Sequence, residues 1–250
     1  MQQVETINPY NGDENKTAQV REMFDSIAPA YDLMNRLMSF GLHRRWLAKA
    51  VREVASAAPV AVLDVATGTA DVAIAIARNL PDASVSGVDL SEGMIKVGRE
   101  KVAKAGLSGR ITLTQGDCMA LDIPDNSFDA VTVAYGVRNF ERLADGYREM
   151  LRVLRPGGKL TVIELSTPRN PIVKPFYKFY TRCVIPLVGK MVSKDLRAYS
   201  YLPESIAAVP QGHDMCSLMS DCGFAAPQSR SLTFGTCSIY TAIKPSATTK

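Results

Sequence analysis

Cysteine and histidine are scarce in this chain of 250 residues. The cysteines stand at positions 118, 183, 216, 222 and 237, an odd number without a C-x-x-C pair. Only two histidines, His43 and His213, are available beside them. This supply and spacing argue against a zinc site, which needs three or four such ligands close together. Reduced thiols in a cytoplasmic protein are expected.

Long apolar runs are also missing. No stretch approaches the roughly 18 residues of a membrane-spanning helix, and residues 1–17 are too polar for a signal peptide. The net charge is only +4, which gives little support to nucleic acid binding. With 46% apolar and 22% charged residues, the composition is typical of a globular protein. We therefore expect one cytoplasmic domain with a sizeable core.

A short acidic loop with a single glycine is the most informative segment. The apolar run 60–65 predicts a buried strand, and residues 72–80 predict a helix after the turn around Gly68. A second strand-like run ends at Asp89, 21 positions after Gly68. A strand, a glycine turn, a helix and a strand that ends in an acid form the arrangement with which α/β sheets hold an adenosine ribose.

The missing glycines of this loop indicate which nucleoside it binds. A dinucleotide fingerprint needs three glycines, so that a pyrophosphate can approach the helix N-terminus. Here Thr67, Thr69 and Ala70 stand beside Gly68, and acids flank the turn at positions 64 and 71. Acidic groups repel a pyrophosphate but suit a ligand that carries an ammonium and a sulfonium group. The loop favours S-adenosylmethionine over NAD, and an ordinary strand-to-helix turn is the alternative.

The order of the predicted elements indicates an α/β fold. Residues 17–58 are expected to be helical, with breaks at Pro29 and Gly41. Strands are predicted near residues 60–65, 84–89, 110–115, 128–134 and 158–164, and helices near 70–80, 91–105, 141–154 and 203–222. Two β-rich runs, 227–234 and 237–243, enclose Gly235 and predict a hairpin. Together these elements predict the class I S-adenosylmethionine-dependent methyltransferase fold, a seven-stranded, mostly parallel sheet with an antiparallel terminal hairpin strand.

The carboxyl ends of the other strands supply further candidate cofactor contacts, because ligands bind at that edge of a parallel sheet. After the third strand, Asp117 is expected to accept a hydrogen bond from the adenine amino group and Cys118 to pack on the ring. A turn cap is the alternative role of Asp117. The fourth strand ends at Ala134 and Tyr135, which are expected on the methionine side.

Two segments resemble the signatures of a known family. Residues 31–46 (YDLMNRLMSFGLHRRW) and 152–166 (RVLRPGGKLTVIELS) resemble those of the quinone-biosynthesis C-methyltransferases, the demethylmenaquinone methyltransferases and polyprenyl-benzoquinol methylases. Segments 136–139 and 201–206 are also similar, and the resemblance covers residues 18–245. Arg155 stands where the family usually has Lys, which keeps the charge.

The resemblance implies contacts of Thr67, Asp89, Asp117 and Cys118 with S-adenosylmethionine. Ala134 departs from the family, because many members carry a serine that faces the cofactor there. The lost hydroxyl is expected to weaken cofactor binding by about 1 kcal/mol without abolishing activity.

The implied reaction is methylation of a ring carbon on a polyprenylated quinol, and this carbon is a poor nucleophile until the adjacent phenol loses its proton. At a strand end, Arg138 is expected to stabilise the phenolate and Asn139 to orient a ring hydroxyl. Tyr31 and His43 lie in the predicted N-terminal helices, which would cover the pocket. Alternatively, Arg138 pairs with a carboxylate and His43 is structural.

The predicted organisation is a flexible tail (1–17), a helical lid (18–58) and a methyltransferase domain (59–245) with an insert at 168–201. The insert contains four aromatic residues, at positions 176, 177, 179 and 180, and the apolar run 184–188. Six of its basic residues, at positions 174, 178, 182, 190, 194 and 197, face one acid, Asp195. This composition suits a helix on the cytoplasmic face of a membrane, and equally a core-packed helix with a solvated face. The lipid substrate favours the membrane contact.

Demethylmenaquinol is the favoured substrate, and a polyprenyl methoxy-benzoquinol or another small molecule stays open. A nucleic acid methyltransferase would need a proline-aromatic pair after the fourth strand, and the segment Ala134-Tyr-Gly-Val lacks the proline. A nicotinamide oxidoreductase would need the absent glycines, and a non-catalytic binding module would not need a substrate-side Arg-Asn pair. Homodimer formation stays open, and residues 246–250 are expected to fray.

Overall fold

Three α-helices precede the first strand in the computed structural model, which describes residues 1–10, 12–185 and 196–246. They are α1 (Lys16–Ile27), α2 (Tyr31–Met38) and α3 (Leu42–Ala55). A short 3-10 turn that contains Pro29 separates α1 from α2. Gly41 has a φ of 75° and lies immediately before α3, a conformation that glycine adopts without strain. The breaks predicted at Pro29 and Gly41 are confirmed.

Seven strands of the described residues form one sheet. They are β1 (Ala61–Val65), β2 (Ser84–Asp89), β3 (Ile111–Gln115), β4 (Phe128–Ala134), β5 (Leu154–Leu165), β6 (Ala225–Leu232) and β7 (Cys237–Ile243). Their order is β3-β2-β1-β4-β5-β7-β6. The first five strands are parallel, and β7 runs antiparallel to both β5 and β6. The predicted seven-stranded, mostly parallel sheet with an antiparallel terminal hairpin is therefore confirmed.

Further helices follow the strands. They are α4 (Asp71–Asn79), α5 (Glu92–Lys104), α6 (Leu143–Val153), α7 (Val173–Phe179), α8 (Leu196–Ala208) and α9 (His213–Asp221). The prediction of one helix near 203–222 was wrong, because this region contains the end of α8 and all of α9. Pro210 lacks a backbone N–H and Gly212 has a positive φ, so the chain turns between the two helices. Within the described residues, no helix is long and apolar enough to cross a membrane.

Because side chains alternate along β1, hydrophobic core residues lie on both faces of the sheet. Leu63 and Val65 pack with Tyr147 of α6, whereas Val62 packs with Ile76 of α4 on the other face. All five are buried. The sheet is therefore covered on both sides, and its ligand-accessible groups lie at strand ends.

The register brings three strand ends to one edge of the sheet. Val65 pairs with Val88 of β2 and with Val133 of β4. The segments that directly follow these pairs therefore come together at this edge. They are the loop around Gly68, Asp89 and Ala134.

Residues before α1, predicted as a flexible tail, make specific contacts in the structure. A 3-10 turn over Gln3–Thr6 buries Val4 completely. The carboxylate of Glu5 accepts a hydrogen bond from the Leu143 N–H at 2.8 Å, at the start of α6. The Lys16 ammonium donates to the carbonyls of Val4 (2.5 Å) and Arg138 (3.2 Å). Of the predicted frayed end, residues 247–250 lie outside the described residues.

Candidate active site

Three cavities lie at the edge where β1, β2 and β4 end, and Tyr31 and Tyr135 line all three. The apolar cavity, about 380 Å³, lies between the N-terminal helices and α7 and α8. The β2 cleft, about 70 Å³, is lined by Gly68, Asp89 and residues of the β3–β4 segment. The loop cleft, about 40 Å³, extends along residues 64–72. The two tyrosines therefore mark the place where the three cavities adjoin.

The β2 cleft has the acid that the sequence predicts. Asp89 Oδ2 accepts a hydrogen bond from the Gly68 N–H at 2.8 Å, and Oδ1 accepts one from the Ser91 N–H at 2.9 Å. Gly68 has a φ of 55°, which brings its N–H toward the strand end. Burial raises the pKa of Asp89. The two carboxylate oxygens together can accept about four hydrogen bonds, so Asp89 keeps acceptor capacity for a ribose hydroxyl.

Asp117 and Cys118 line the same cleft. Asp117 Oδ1 accepts a hydrogen bond from the Met119 N–H at 2.8 Å, so the turn cap that sequence analysis gave as the alternative is present. Cys118 is buried, and burial raises the pKa of its thiol, which leaves an uncharged, apolar surface. Leu90, directly after Asp89, also lines the cleft, as does Phe140, which sequence reasoning missed.

The loop cleft contains a buried carboxylate oxygen without a partner. The Thr67 hydroxyl donates to Asp64 Oδ2 at 2.6 Å, whereas Asp64 Oδ1 is buried and accepts no hydrogen bond. Burial raises the pKa of Asp64 to about 7. An ammonium group in this cleft would supply the missing partner, so the site fits a cationic amino acid moiety. Ala134 and Tyr135 form the neighbouring wall, on the predicted methionine side.

The other acid of the loop, Asp71, has a different partner. Its carboxylate lies 2.6 Å from the Lys101 ammonium, which also contacts Asp32 of α2 at 2.6 Å and the Thr69 hydroxyl at 2.9 Å. Lys101 therefore neutralises Asp71 and connects α2 to the loop. Of the two acids that flank the turn, Asp64 keeps the free oxygen.

Arg138 forms an ion pair, as the alternative interpretation predicted. Its Nη1 lies 2.8 Å from Glu164 Oε1 of β5, and both side chains are buried. Nη1 also donates to the Tyr135 carbonyl, while Nε is buried without a partner. Glu164 was missed by sequence reasoning, although it lies within the signature segment 152–166. Arg138 nevertheless lines the apolar cavity and carries a charge there.

The structure brings Tyr31 and Asn139 to the same cavity as Arg138. Asn139 Oδ1 accepts a hydrogen bond from the Tyr201 hydroxyl at 3.1 Å, and its amide group donates to the Tyr135 carbonyl at 3.4 Å. Burial raises the pKa of Tyr31, so this phenol stays protonated. The three residues predicted for the substrate side therefore share one wall of the apolar cavity.

Exposed apolar side chains surround part of this cavity. Phe40 and Phe176 line it and are 79% and 73% exposed. The apolar patch consists of these two residues together with Leu33, Leu37, Ile172 and Phe179. Three exposed basic residues lie nearby in sequence: Arg36 on α2, and Lys174 and Lys178 on α7. Phe40 contacts Tyr180, with ring centroids 5.8 Å apart, so the end of α2 and the segment after α7 meet beside the cavity.

The rest of the predicted basic apolar insert has a mixed outcome. Ile185 is buried against Met34 of α2 rather than exposed. Arg197 donates to the Pro9 carbonyl at 2.8 Å. The basic residues at 190 and 194, with most of the apolar run, lie in residues 186–195, outside the described part of the chain, as does the side chain at 182.

The chain is similar to known proteins over almost its whole length. The sequence model of the ubiE/COQ5 methyltransferase family matches residues 12–244. A demethylmenaquinone methyltransferase of Bacteroides fragilis is 49% identical over 240 residues, 96% of this chain and 98% of the relative. The ubiquinone/menaquinone biosynthesis C-methyltransferase UbiE of Geobacter sulfurreducens is 46% identical over 230 residues, 92% of this chain and 90% of the relative. These matches confirm the resemblance of segments 31–46 and 152–166.

Solved structures share the fold at lower sequence identity. A SAM dependent methyltransferase from Aquifex aeolicus has a TM-score of 0.55 and 19% identity, and the match covers 74% of this chain and 81% of that one.

Proposed function

We propose that this chain, which belongs to the ubiE/COQ5 methyltransferase family, transfers the methyl group of S-adenosylmethionine to a ring carbon of a polyprenylated quinol. One observation carries the proposal. A cleft that ends at the Asp89 carboxylate and a large apolar cavity adjoin at Tyr31 and Tyr135. A polar nucleoside and a lipid-like ring can therefore bind side by side, as methyl transfer between them requires.

Demethylmenaquinol is the proposed substrate and menaquinol the product. The relative at 49% identity is named for demethylmenaquinone, whereas the one at 46% is named for both ubiquinone and menaquinone biosynthesis. A polyprenyl methoxy-benzoquinol is therefore the second candidate.

Each cofactor-side residue has a role that its contacts support. S-adenosylmethionine would supply an electrophilic methyl group on a sulfonium. Asp89 would bind the ribose hydroxyls with its free lone pairs, while Gly68 positions the carboxylate through its N–H. Asp64, oriented by Thr67, would bind the ammonium group.

The remaining walls would hold the adenine and the methionine chain. Cys118 would pack on the adenine ring, and Asp117, whose Oδ2 is left over after the turn cap, would accept from its amino group. Ala134 would contact the methionine side chain.

The substrate side would use charge and orientation. Arg138 places a buried positive charge on the wall of the apolar cavity, where it would stabilise a developing phenolate. Asn139 would orient a ring hydroxyl, because its side chain is held by Tyr201. Helices α1–α3, which contribute Tyr31, would act as the lid of the domain that begins at residue 59.

Contact with a membrane surface would give access to an insoluble substrate. The apolar patch is formed by residues of α2, by Phe40 two residues after its end, and by the region of α7; Phe40 and Phe176 also line the cavity. Arg36, Lys174 and Lys178 would face lipid phosphates while the apolar side chains enter the interface. An isoprenoid tail would then remain in the bilayer while the ring enters the cavity.

The proposed function is tested by methyl transfer from labelled S-adenosylmethionine to demethylmenaquinol and to a polyprenyl methoxy-benzoquinol in parallel. Label in demethylmenaquinol alone is expected, and label in both would establish a dual-purpose enzyme. The absence of label in both, with S-adenosylmethionine still bound in equilibrium dialysis, would overturn the substrate assignment. Binding of NAD in preference to S-adenosylmethionine would overturn the cofactor assignment.

A further inference from the structure

We propose that His43 is the general base that takes the phenolic proton from the substrate, and that Ser39 positions it by fixing its tautomer. This role rests on the proposed function, because it concerns the acceptor ring. His43 lines both the apolar cavity and the loop cleft. Its imidazole therefore lies on the wall between the place of the ring and the Asp64 carboxylate.

The tautomer follows from the single proton of the Ser39 hydroxyl. Ser39 Oγ lies 2.6 Å from the Asn35 carbonyl oxygen and 2.7 Å from His43 Nδ1. A carbonyl oxygen can only accept, so the hydroxyl proton is donated to Asn35. Ser39 Oγ must then accept from Nδ1–H, because two acceptors would otherwise face each other. The neutral imidazole thus keeps its lone pair on Nε2.

No other group on the described wall of the apolar cavity can serve as the base. Among the described lining residues the titratable ones are His43, Arg138 and the tyrosines at positions 31, 135, 177, 180 and 201. A guanidinium does not lose its proton in proteins. Burial raises the pKa of all five phenols, so they donate rather than accept protons. Among the described residues of this wall there is no carboxylate, lysine or cysteine.

The electrostatic surroundings keep the imidazole neutral near pH 7. Burial lowers the pKa of His43, and this effect is larger than that of any charged group nearby. These groups are Asp32 and Arg36 of α2, Arg44 of its own helix and Asp71 of α4. The two acids are shared with the Lys101 ammonium, which weakens their pull on a proton at the imidazole.

In the proposed reaction, proton transfer to His43 precedes methyl transfer. His43 Nε2 takes the phenolic proton, and the electron pair that this releases into the ring makes the adjacent carbon nucleophilic. That carbon forms a bond to the methyl group while the carbon–sulfur bond breaks, and sulfur keeps the pair as a neutral thioether. The methylated carbon then loses its hydrogen as a proton to solvent, which restores the aromatic ring as a phenolate. The phenolate takes back the proton from Nε2, so one proton is released overall.

The test compares His43→Asn with the wild type in the methyl transfer assay with demethylmenaquinol across pH 6 to 10. The asparagine amide can still donate to Ser39, so the turn is kept, but Nε2 is lost. We expect kcat near pH 7 to fall about 10²–10⁴-fold, the usual range for a positioned base. We expect the deficit to shrink as the pH rises, because phenols ionise near pH 10 in solution. Because His43 also lines the loop cleft, kcat is measured at saturating S-adenosylmethionine, so that weaker cofactor binding does not contribute to the deficit.

Matched controls separate this role from a structural one. His213 on α9 is exposed, and its Nδ1 lies 3.3 Å from Ser217 Oγ, so it is a histidine with a similar serine partner. The variant His213→Asn should keep the wild-type rate of methyl transfer. Ser39→Ala should lower kcat about tenfold by releasing the tautomer, and Ser39→Thr should restore it.

Two results would overturn the role of His43 while the proposed function stands. One is a kcat of His43→Asn equal to that of the wild type, and the other is a loss by the same factor at every pH. An inactive wild type would instead overturn the proposed function, and this role with it.

Discussion

Arg138 Nη1 lies 2.8 Å from Glu164 Oε1 in the interior of the protein, and the two side chains are 7% and 1% exposed. The ion pair connects the turn after β4 to β5 and holds a charged group on the wall of a cavity that is otherwise mostly apolar and aromatic. A buried guanidinium without its carboxylate would be costly, so the pair fixes where the positive charge lies.

Replacement of Glu164 by Gln should destabilise the protein. The substitution leaves the buried Arg138 without an opposite charge, and removal of one partner of a buried pair typically lowers the free energy of unfolding by about 3–5 kcal/mol. Urea unfolding of both proteins measures the difference. Glu92→Gln, which breaks an exposed pair with Arg99, is the control and should cost less than about 1 kcal/mol. Equal losses in the two variants would contradict the structural role of the buried pair.

Asp89→Asn should weaken binding of S-adenosylmethionine. The amide nitrogen would face either the Gly68 N–H or the Ser91 N–H, and the charge that accepts ribose hydroxyls would be lost. Hydrogen bonds to charged groups contribute about 1.5–3 kcal/mol, so the Kd should rise roughly 10- to 150-fold. Isothermal titration calorimetry measures it, with the exposed Asp125→Asn as control. A Kd within twofold of the wild type would remove Asp89 from the binding site.

Gly87→Ala should disturb the cofactor loop without changing any polar group. A Cβ on Gly87 would lie 2.8 Å from Thr67 Oγ1 and 2.5 Å from Leu113 Cδ2. Overpacking of this kind costs about 1–3 kcal/mol, and here it displaces the hydroxyl that orients Asp64. We expect lower thermal stability together with weaker S-adenosylmethionine binding. Gly109→Ala, whose Cβ meets nothing within 4 Å, should change neither.

The buried Lys16 should make stability depend on pH in the alkaline range. Burial lowers its pKa from 10.5 to about 8. Between these values the unfolded chain keeps a proton that the folded chain has lost, so a rise in pH stabilises the folded state. The free energy of unfolding of the wild type should therefore rise relative to Lys16→Met by up to about 3 kcal/mol between pH 8 and 10.5. A difference from Lys16→Met that stays constant across this range would refute the shift.

Polar substitutions in the apolar patch should reduce binding to lipid. Ile172 and Phe179 are 74% and 65% exposed and do not line the cavity, so Ile172→Ser with Phe179→Ser leaves the wall of the site unchanged. Each buried apolar side chain contributes about 1.5–3 kcal/mol. The fraction that sediments with anionic vesicles should fall at least tenfold, and KM should rise for a long-tailed but not a short-tailed quinol. The control is Val60→Ser, at a distant exposed position, which should leave sedimentation unchanged. Equal sedimentation of the wild type, the double variant and Val60→Ser would contradict the membrane contact.

Several parts of the site could be predicted because their signals are local. The strand, the turn at Gly68, the helix and Asp89 lie within 30 residues, and their spacing specifies the acid at the strand end. The terminal hairpin is equally local, because β6 and β7 are joined by a three-residue 3-10 turn. Asp117 shows the limit of such reasoning, since a turn cap and a ligand contact share the same residue type.

The sequence by itself determined the order of the strands along the chain, the acidic loop and the family, because periodicity, turn residues and motif spacing are properties of neighbouring positions. Only the tertiary structure decided that Arg138 pairs with Glu164, 26 residues away, because β4 and β5 lie side by side in the sheet. Likewise, the apolar cavity is formed by α1–α3, α7 and α8, which are distant in sequence, and the fold places His43 on its wall. Burial and partner choice depend on which segments meet in space, and spacing along the chain does not encode that.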